Sequence, residues 1–296
     1  MAPKRIVVLI SGSGTNLQAL LDHFHPPTRQ PTPTGEIVLV ISSKSSAGGL
    51  ARASNSRPPI PTKVASLYTY TKTHPDSGSP RSDWENELAG IVKEAKPDLV
   101  VLAGWMLIMG DAFLNRLVKD WEVEATTGGS AKDDRERIPL PILGRDDWDA
   151  NPTQVLARAS TIAEVQAGQA ELSALTTDRT TEDGARLGSS SSPRPIPIIN
   201  LHPALPPSYG PESIIGANAI HRAYAEFANP ESGRERRKKT GVMVHHVTAE
   251  LDAGEPVLVK EVDMREGESE EDFEARMHKL EWEVIVQATE IILQDV

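Results

Sequence analysis

The sequence contains no cysteine, which excludes disulfides, thiolate metal sites and cysteine nucleophiles. No stretch approaches the roughly 20 apolar residues of a membrane helix. The first apolar run, Ile6–Ile10, is too short for a signal peptide's apolar region, and no small-residue cleavage site accompanies it. Basic charge is in deficit as well, with 31 Lys and Arg against 42 Asp and Glu and a net charge of -11. That sign argues against a general nucleic-acid surface. The expectation is a cytoplasmic protein with neither nucleic acid nor membrane as partner.

What is present is an alternation of strand and helix patterns, in a chain whose 296 residues could form one large domain or two small ones. Ile6–Ile10 is a continuous β-branched apolar run, the mark of a strand buried on both faces. Leu17, Leu20, Leu21 and Phe24 follow at helical spacing. Ile37–Ile41 repeats the strand pattern, with a short helix at Ala47–Ala53. Trp84, Leu88, Ile91 and Val92 stripe a helix that stops at Lys96-Pro97, before a strand at Asp98–Ala103 and a helix carrying Phe113, Leu114, Leu117 and Val118. This alternation predicts an α/β fold, with a Rossmann-like, predominantly parallel sheet flanked by helices.

From about 120 to 196 the composition turns polar and turn-prone, too poor in apolar residues to offset the entropy of ordering. An amphipathic helix at Val155–Leu175 interrupts it. We read 120–196 as a polar insertion, outward-looping, within a single domain spanning 1–296. Regular structure resumes with a strand at Ile196–Leu201, a helix at Ala217–Phe227, strands at Gly241–Val247 and Pro256–Val262, and a last helix at Glu270–Leu293. Ser269 is its expected N-cap.

Three segments carry chemistry. Ser11–Asn16, reading Ser-Gly-Ser-Gly-Thr-Asn, joins the first strand to a helix, where glycines permit close approach and free N–H groups of Gly14, Thr15 and Asn16 suit a phosphate. The third glycine of a dinucleotide loop is missing, and no Gly-Lys-Ser/Thr follows, so a monophosphate fits better than NAD or ATP. A tight turn that binds nothing has the same local pattern. Asn200 and His202, two apart on an extended segment stopped by Pro203, point to one side. An imidazole fixed beside an amide suits proton transfer next to a polarised carbonyl, though a core histidine bonded to backbone fits equally. Asp252 sits in a glycine-containing turn, and nothing in the spacing joins it to His202. His245-His246 lies on a strand, where neighbours face opposite sides and cannot chelate one ion together; core or rim packing is the favoured reading.

Taken together, Ile10–Asn16, Val101–Met106, Ile199–Leu205, Thr240–His245 and Leu251–Gly254 resemble the phosphoribosylglycinamide formyltransferases, in that family's order. The Asn-x-His-Pro segment and the distant Asp mark the wider folate-dependent formyltransferases. The Ser-Gly-x-Gly-Thr-Asn loop points to this member. The resemblance implies the formyltransferase fold and transfer of a formyl group from 10-formyltetrahydrofolate to the amine of 5-phosphoribosylglycinamide in purine biosynthesis, with no metal. It further implies that Gly14, Thr15, Asn16 and Glu281 bind the phosphorylated substrate. Arg81, Met106, Leu107, Ile108, Met109, Asn200, Thr248 and Asp252 would bind folate. Asn200, His202 and Asp252 would be the catalytic trio.

Two positions depart from the family: Leu107 stands where many relatives carry arginine, and Ile220 where a histidine is frequent. The competing functions are a formyltetrahydrofolate hydrolase, a formyltransferase acting on another amine, and a non-catalytic nucleotide-binding scaffold. The phosphate loop argues against the first two.

Overall fold

In a computed structural model, which describes residues 2–26, 34–117, 196–230, 236–248 and 251–296, the chain builds a seven-stranded sheet. The strands are β1 (Lys4–Ile10), β2 (Gly35–Ser42), β3 (Thr62–Val64), β4 (Leu99–Leu102), β5 (Ile198–His202), β6 (Lys239–His246) and β7 (Pro256–Asp263). The helices are α1 (Thr15–Phe24), α2 (Gly48–Asn55), α3 (Leu67–Thr73), α4 (Pro80–Glu94), α5 (Ala219–Ala228) and α6 (Glu270–Asp295), with a further helical run at 111–117. The sheet order is β3-β2-β1-β4-β5-β6-β7. Strands β1 to β5 pair in parallel, and β6 and β7 are added antiparallel at one edge. These elements belong to one unit, Met1–Thr127 with Pro193–Val296. The expected insertion at 120–196 and its helix at Val155–Leu175 lie outside the described residues, but for Ile196, which is buried.

The apolar run of β1 is buried on both faces because alternate side chains feed two separate cores. Ile6, Val8 and Ile10 join a cluster with Leu17, Leu20 and Phe24 of α1 and Phe273, Met277, Val284 and Ile285 of α6. Val7 and Leu9 join the other, with Trp84, Leu88 and Val92 of α4 and Phe113. Each such fully buried aliphatic chain contributes about 1.5–3 kcal/mol. Ser269 caps α6 as expected, accepting a hydrogen bond from the Asp272 N–H. Leu280, expected on the buried side of α6, is only partly buried there. Two elements were not anticipated, β3 and α3. Three exposed or half-buried residues form the first and no buried residue anchors the second, so neither has the apolar periodicity that betrays the rest.

The chain runs from β1 outward through β2 to β3, then returns to place β4 on the other side of β1. This reversal opens a crevice at the carboxyl ends of β1 and β4, the usual ligand position in such sheets. The described residues contain no helix long and apolar enough to cross a membrane.

Candidate active site

One hydroxyl of the turn after β1 meets two neighbouring loops at once. Ser11 Oγ accepts hydrogen bonds from Ser43 Oγ at 2.7 Å and from the Met106 N–H at 2.9 Å, joining the loops that follow β1, β2 and β4. Gly14 holds φ 76°, and a Cβ there would stand 2.5 Å from Gly49 Cα, so only glycine lets α1 begin against the α2 backbone. No side chain caps α1. Its first-turn N–H groups at Thr15, Asn16 and Leu17 have no intrahelical partner, and such N–H groups, with the helix dipole, are suited to an anion. Asn16 is buried, and its Oδ1 accepts no hydrogen bond.

The second part of the site lies on β5 and β6. Ile199 and Leu201 enter the core cluster with α6, so Asn200 and His202 project to the opposite face of the sheet. Asn200 pairs directly with His245 across the antiparallel ladder, and its Nδ2 lies 3.2 Å from His245 Nε2. His245 Nδ1 donates to the His246 carbonyl at 2.8 Å, since a carbonyl can only accept. Nε2 of a neutral His245 is then an acceptor for one Asn200 N–H, and the second N–H of that amide remains free to bind elsewhere. By the same argument His202 Nε2 carries a proton, donated to the Ile214 carbonyl at 2.7 Å. Its Nδ1 is the nitrogen that gains or loses one.

Asp252 closes the group. The turn after β6 folds back so that Asp252 Oδ2 lies 3.7 Å from His202 Nε2 and Oδ1 lies 3.6 Å from His245 Nε2, while Oδ2 also accepts the Gly216 N–H at 3.0 Å. The carboxylate is 6% exposed. Burial pushes the Asp252 carboxyl up, but a proton at His245 Nε2, present when that ring is charged, together with the charge of a protonated His202 and the Gly216 N–H outweighs it and holds the group below its ordinary range. Asp252 adopts φ 52°, a left-handed conformation that aspartate tolerates better than most side chains. The fold-back also depends on Gly254, where a Cβ would meet the His246 carbonyl oxygen at 1.7 Å. Gly254→Ala is therefore expected to cost about 1–3 kcal/mol of stability by overpacking, measured as a lowered urea midpoint at unchanged slope.

The structure thus brings Asn200, His202 and Asp252 together, with His245 between the amide and the carboxylate. His245 is buried, as its sequence context suggested, and it also stands against Asn200 and Asp252. The signal was present in retrospect, as two histidines at a strand end preceding a carboxylate, but only the cross-strand register shows which one faces Asn200. In the stretch that follows β4, the strand paired with β5, Met106 and Ile108 are 63% and 55% exposed, Leu107 is half-buried, and Met109 packs in a core cluster. Arg81 donates from Nη2 to the Ile108 carbonyl. Thr248 is exposed. Glu281 is buried on α6 and bonded to His278 Nδ1 at 2.5 Å, not to the 14–16 turn. That bond to Glu281 raises the His278 imidazole above its ordinary value, against the opposing effect of burial. Ile220 is a core residue, and the adjacent His221 faces outward to Glu270. Among the described residues no three His, Asp or Glu side chains are grouped to hold a metal ion.

Residues 4–120 and 192–289 match the model of the formyl transferase family. A phosphoribosylglycinamide formyltransferase of Saccharomyces cerevisiae is 33% identical over 299 residues, covering 98% of this chain and 97% of the relative. One from Dictyostelium discoideum is 31% identical, covering 97% of each. In fold, the chain is similar to the crystal structure of glycinamide ribonucleotide transformylase 1 from Symbiobacterium toebii, with a TM-score of 0.57 at 24% identity over 99% of this chain and 89% of that one.

Proposed function

This chain belongs to the formyl transferase family, and from that premise we propose that it transfers the formyl group of 10-formyltetrahydrofolate to the amine of 5-phosphoribosylglycinamide, as a cytoplasmic step of purine biosynthesis. The observation that carries the reading is the meeting of His202 and Asp252, 50 residues apart in sequence, at 3.7 Å beside Asn200. The family match falls in two blocks separated by 121–191, which supports a single formyltransferase domain carrying an insertion.

The chemistry follows from the groups. The glycinamide nitrogen attacks the formyl carbon, forming a C–N bond and a tetrahedral oxyanion. Protonated His202, at Nδ1, and the free N–H of Asn200 donate to that oxyanion, in a site where preformed donors act without reorganisation. Asp252 offsets the charge of His202 as it is held protonated. The attacking nitrogen then loses its proton, by way of His202 and Asp252 or a water they orient, to the folate nitrogen as the bond between that nitrogen and the formyl carbon breaks. Formylated glycinamide ribonucleotide and tetrahydrofolate leave. The residues of this chain carry each of these roles through hydrogen bonds and charge.

The anion seat of α1 favours a phosphorylated amine over a hydrolase or a formyltransferase for another amine. Formyl transfer to 5-phosphoribosylglycinamide, followed spectrophotometrically, tests the function; an inactive protein refutes it. Thr15→Ala with Asn16→Ala is expected to raise the KM for the phosphorylated amine about tenfold, roughly 1.4 kcal/mol, and to leave folate affinity unchanged. The reverse pattern would show the two subsites to be interchanged.

A further inference from the structure

Within α4 stands a buried carboxylate, Glu85, that the proposed reaction does not use. Glu85, on α4, is 3% exposed, and its helix neighbours Trp84 and Leu88 belong to the apolar cluster that also takes in Met109. Its Oε1 accepts Arg81 Nε at 2.7 Å, one helical turn earlier, and the Gly110 N–H at 3.1 Å. Arg81 then reaches on to donate to the Ile108 carbonyl. A buried carboxylate is costly unless it is paired and hydrogen-bonded, and here both conditions are met by one loop and one arginine. The Met106–Gly110 segment is thereby held at three points: at Met106 by Ser11, at Ile108 by Arg81, and at Gly110 by Glu85.

We propose that Glu85 is a positioning residue for the folate subsite: by fixing Arg81 and the Gly110 N–H it sets the course of 106–110, whose exposed Met106 and Ile108 face the ligand. This rests on the formyltransferase reading above. It also assigns Arg81 a different condition from a free cation waiting for an anionic ligand. Its Nε is already committed to Glu85 and its Nη2 to the loop, so the guanidinium is presented to a ligand in one fixed orientation and with its charge partly offset.

Gly110 offers an independent lesion of the same contact. A Cβ at this position would stand 2.6 Å from Glu85 Oε2 and 2.8 Å from Oε1, forcing the carboxylate away from the loop. Glu85→Gln, in contrast, keeps an acceptor oxygen of the same reach and loses only the charge.

The test measures formyl transfer and the binding of an unreactive folate analogue by calorimetry for the full chain, Glu85→Ala, Glu85→Gln and Gly110→Ala, together with hydrogen exchange at the Gly110 amide. Glu85→Ala and Gly110→Ala are expected to weaken analogue affinity and raise the folate KM about tenfold, to speed exchange at Gly110, and to leave the KM for the phosphorylated amine within about twofold. Glu85→Gln is expected to recover most of the affinity. Equal rises in both KM values, or a lower thermal midpoint with unchanged folate affinity, would reduce Glu85 to a packing residue and overturn the proposal while leaving the reaction intact. A wild-type chain that neither binds the analogue nor transfers formyl would instead refute the formyltransferase reading, and the proposal with it. If Glu85→Ala does not fold, Gly110→Ala and Glu85→Gln decide the matter by the same readouts.

Discussion

His202→Ala is expected to lower kcat for formyl transfer by about 10²–10³-fold, the usual cost of removing one oxyanion donor from a preformed site. The effect should fall on kcat, because the donor is needed where charge develops and contributes little to ground-state binding. Both KM values should therefore change little. The substitution also removes the hydrogen bond from Nε2 to the Ile214 carbonyl, leaving a buried acceptor unmatched at a cost of about 1–3 kcal/mol. A melting curve recorded beside the kinetics separates this loss of stability from the loss of chemistry. A variant that stays folded and transfers formyl at the wild-type rate would remove His202 from the mechanism.

The second large effect is expected at Asp252. Asp252→Asn keeps the size of the side chain and an oxygen for the Gly216 N–H, but abolishes the charge that stands between His202 and His245. We expect kcat to fall by about 10²-fold or more, the range of a lost acid–base contribution, with substrate affinities retained. A second signature lies in stability against pH. The folded-state pKa of Asp252 is depressed, so the ionised carboxylate stabilises the fold at pH values above its unfolded pKa of about 3.9. That contribution is lost as pH falls through the folded value. The stability gap between wild type and Asp252→Asn should consequently be full near neutrality and shrink below about pH 4. A gap that widens on acidification would contradict the pairing. So would a variant of undiminished kcat.

The two variants probe different links of one arrangement, and they are not additive. His202 and Asp252 act on the same developing charge, so a double variant should lose little more than the worse single one. Gly254→Ala reaches the same pair through the backbone, by lifting the turn that carries Asp252 away from β6.

Much of the fold could be read from the chain itself. The apolar run of Ile6–Ile10 and the helical stripe of Trp84, Leu88 and Val92 became β1 and α4 because burial on a strand or helix imposes a period on neighbouring residues, and a period is visible locally. The glycine turn before α1 and the strand end at Asn200 and His202 were legible for the same reason: strand-to-helix turns and strand ends have their own residue preferences. Short elements without a buried face, such as β3 and α3, left no such trace.

The tertiary structure alone decided which of these segments meet. Asp252 reaches His202 through a left-handed residue and a close backbone approach at Gly254, His245 enters the site through a cross-strand register with Asn200, and Glu85 holds Gly110 across the gap between a helix and a loop. Each of these contacts joins residues 25 to 50 positions apart. The sequence determined the fold class and the residues able to do the chemistry, because periodicity and residue type are local properties. Distance between remote side chains is a property of the packed sheet, and it arises only when the whole set of strands is in register.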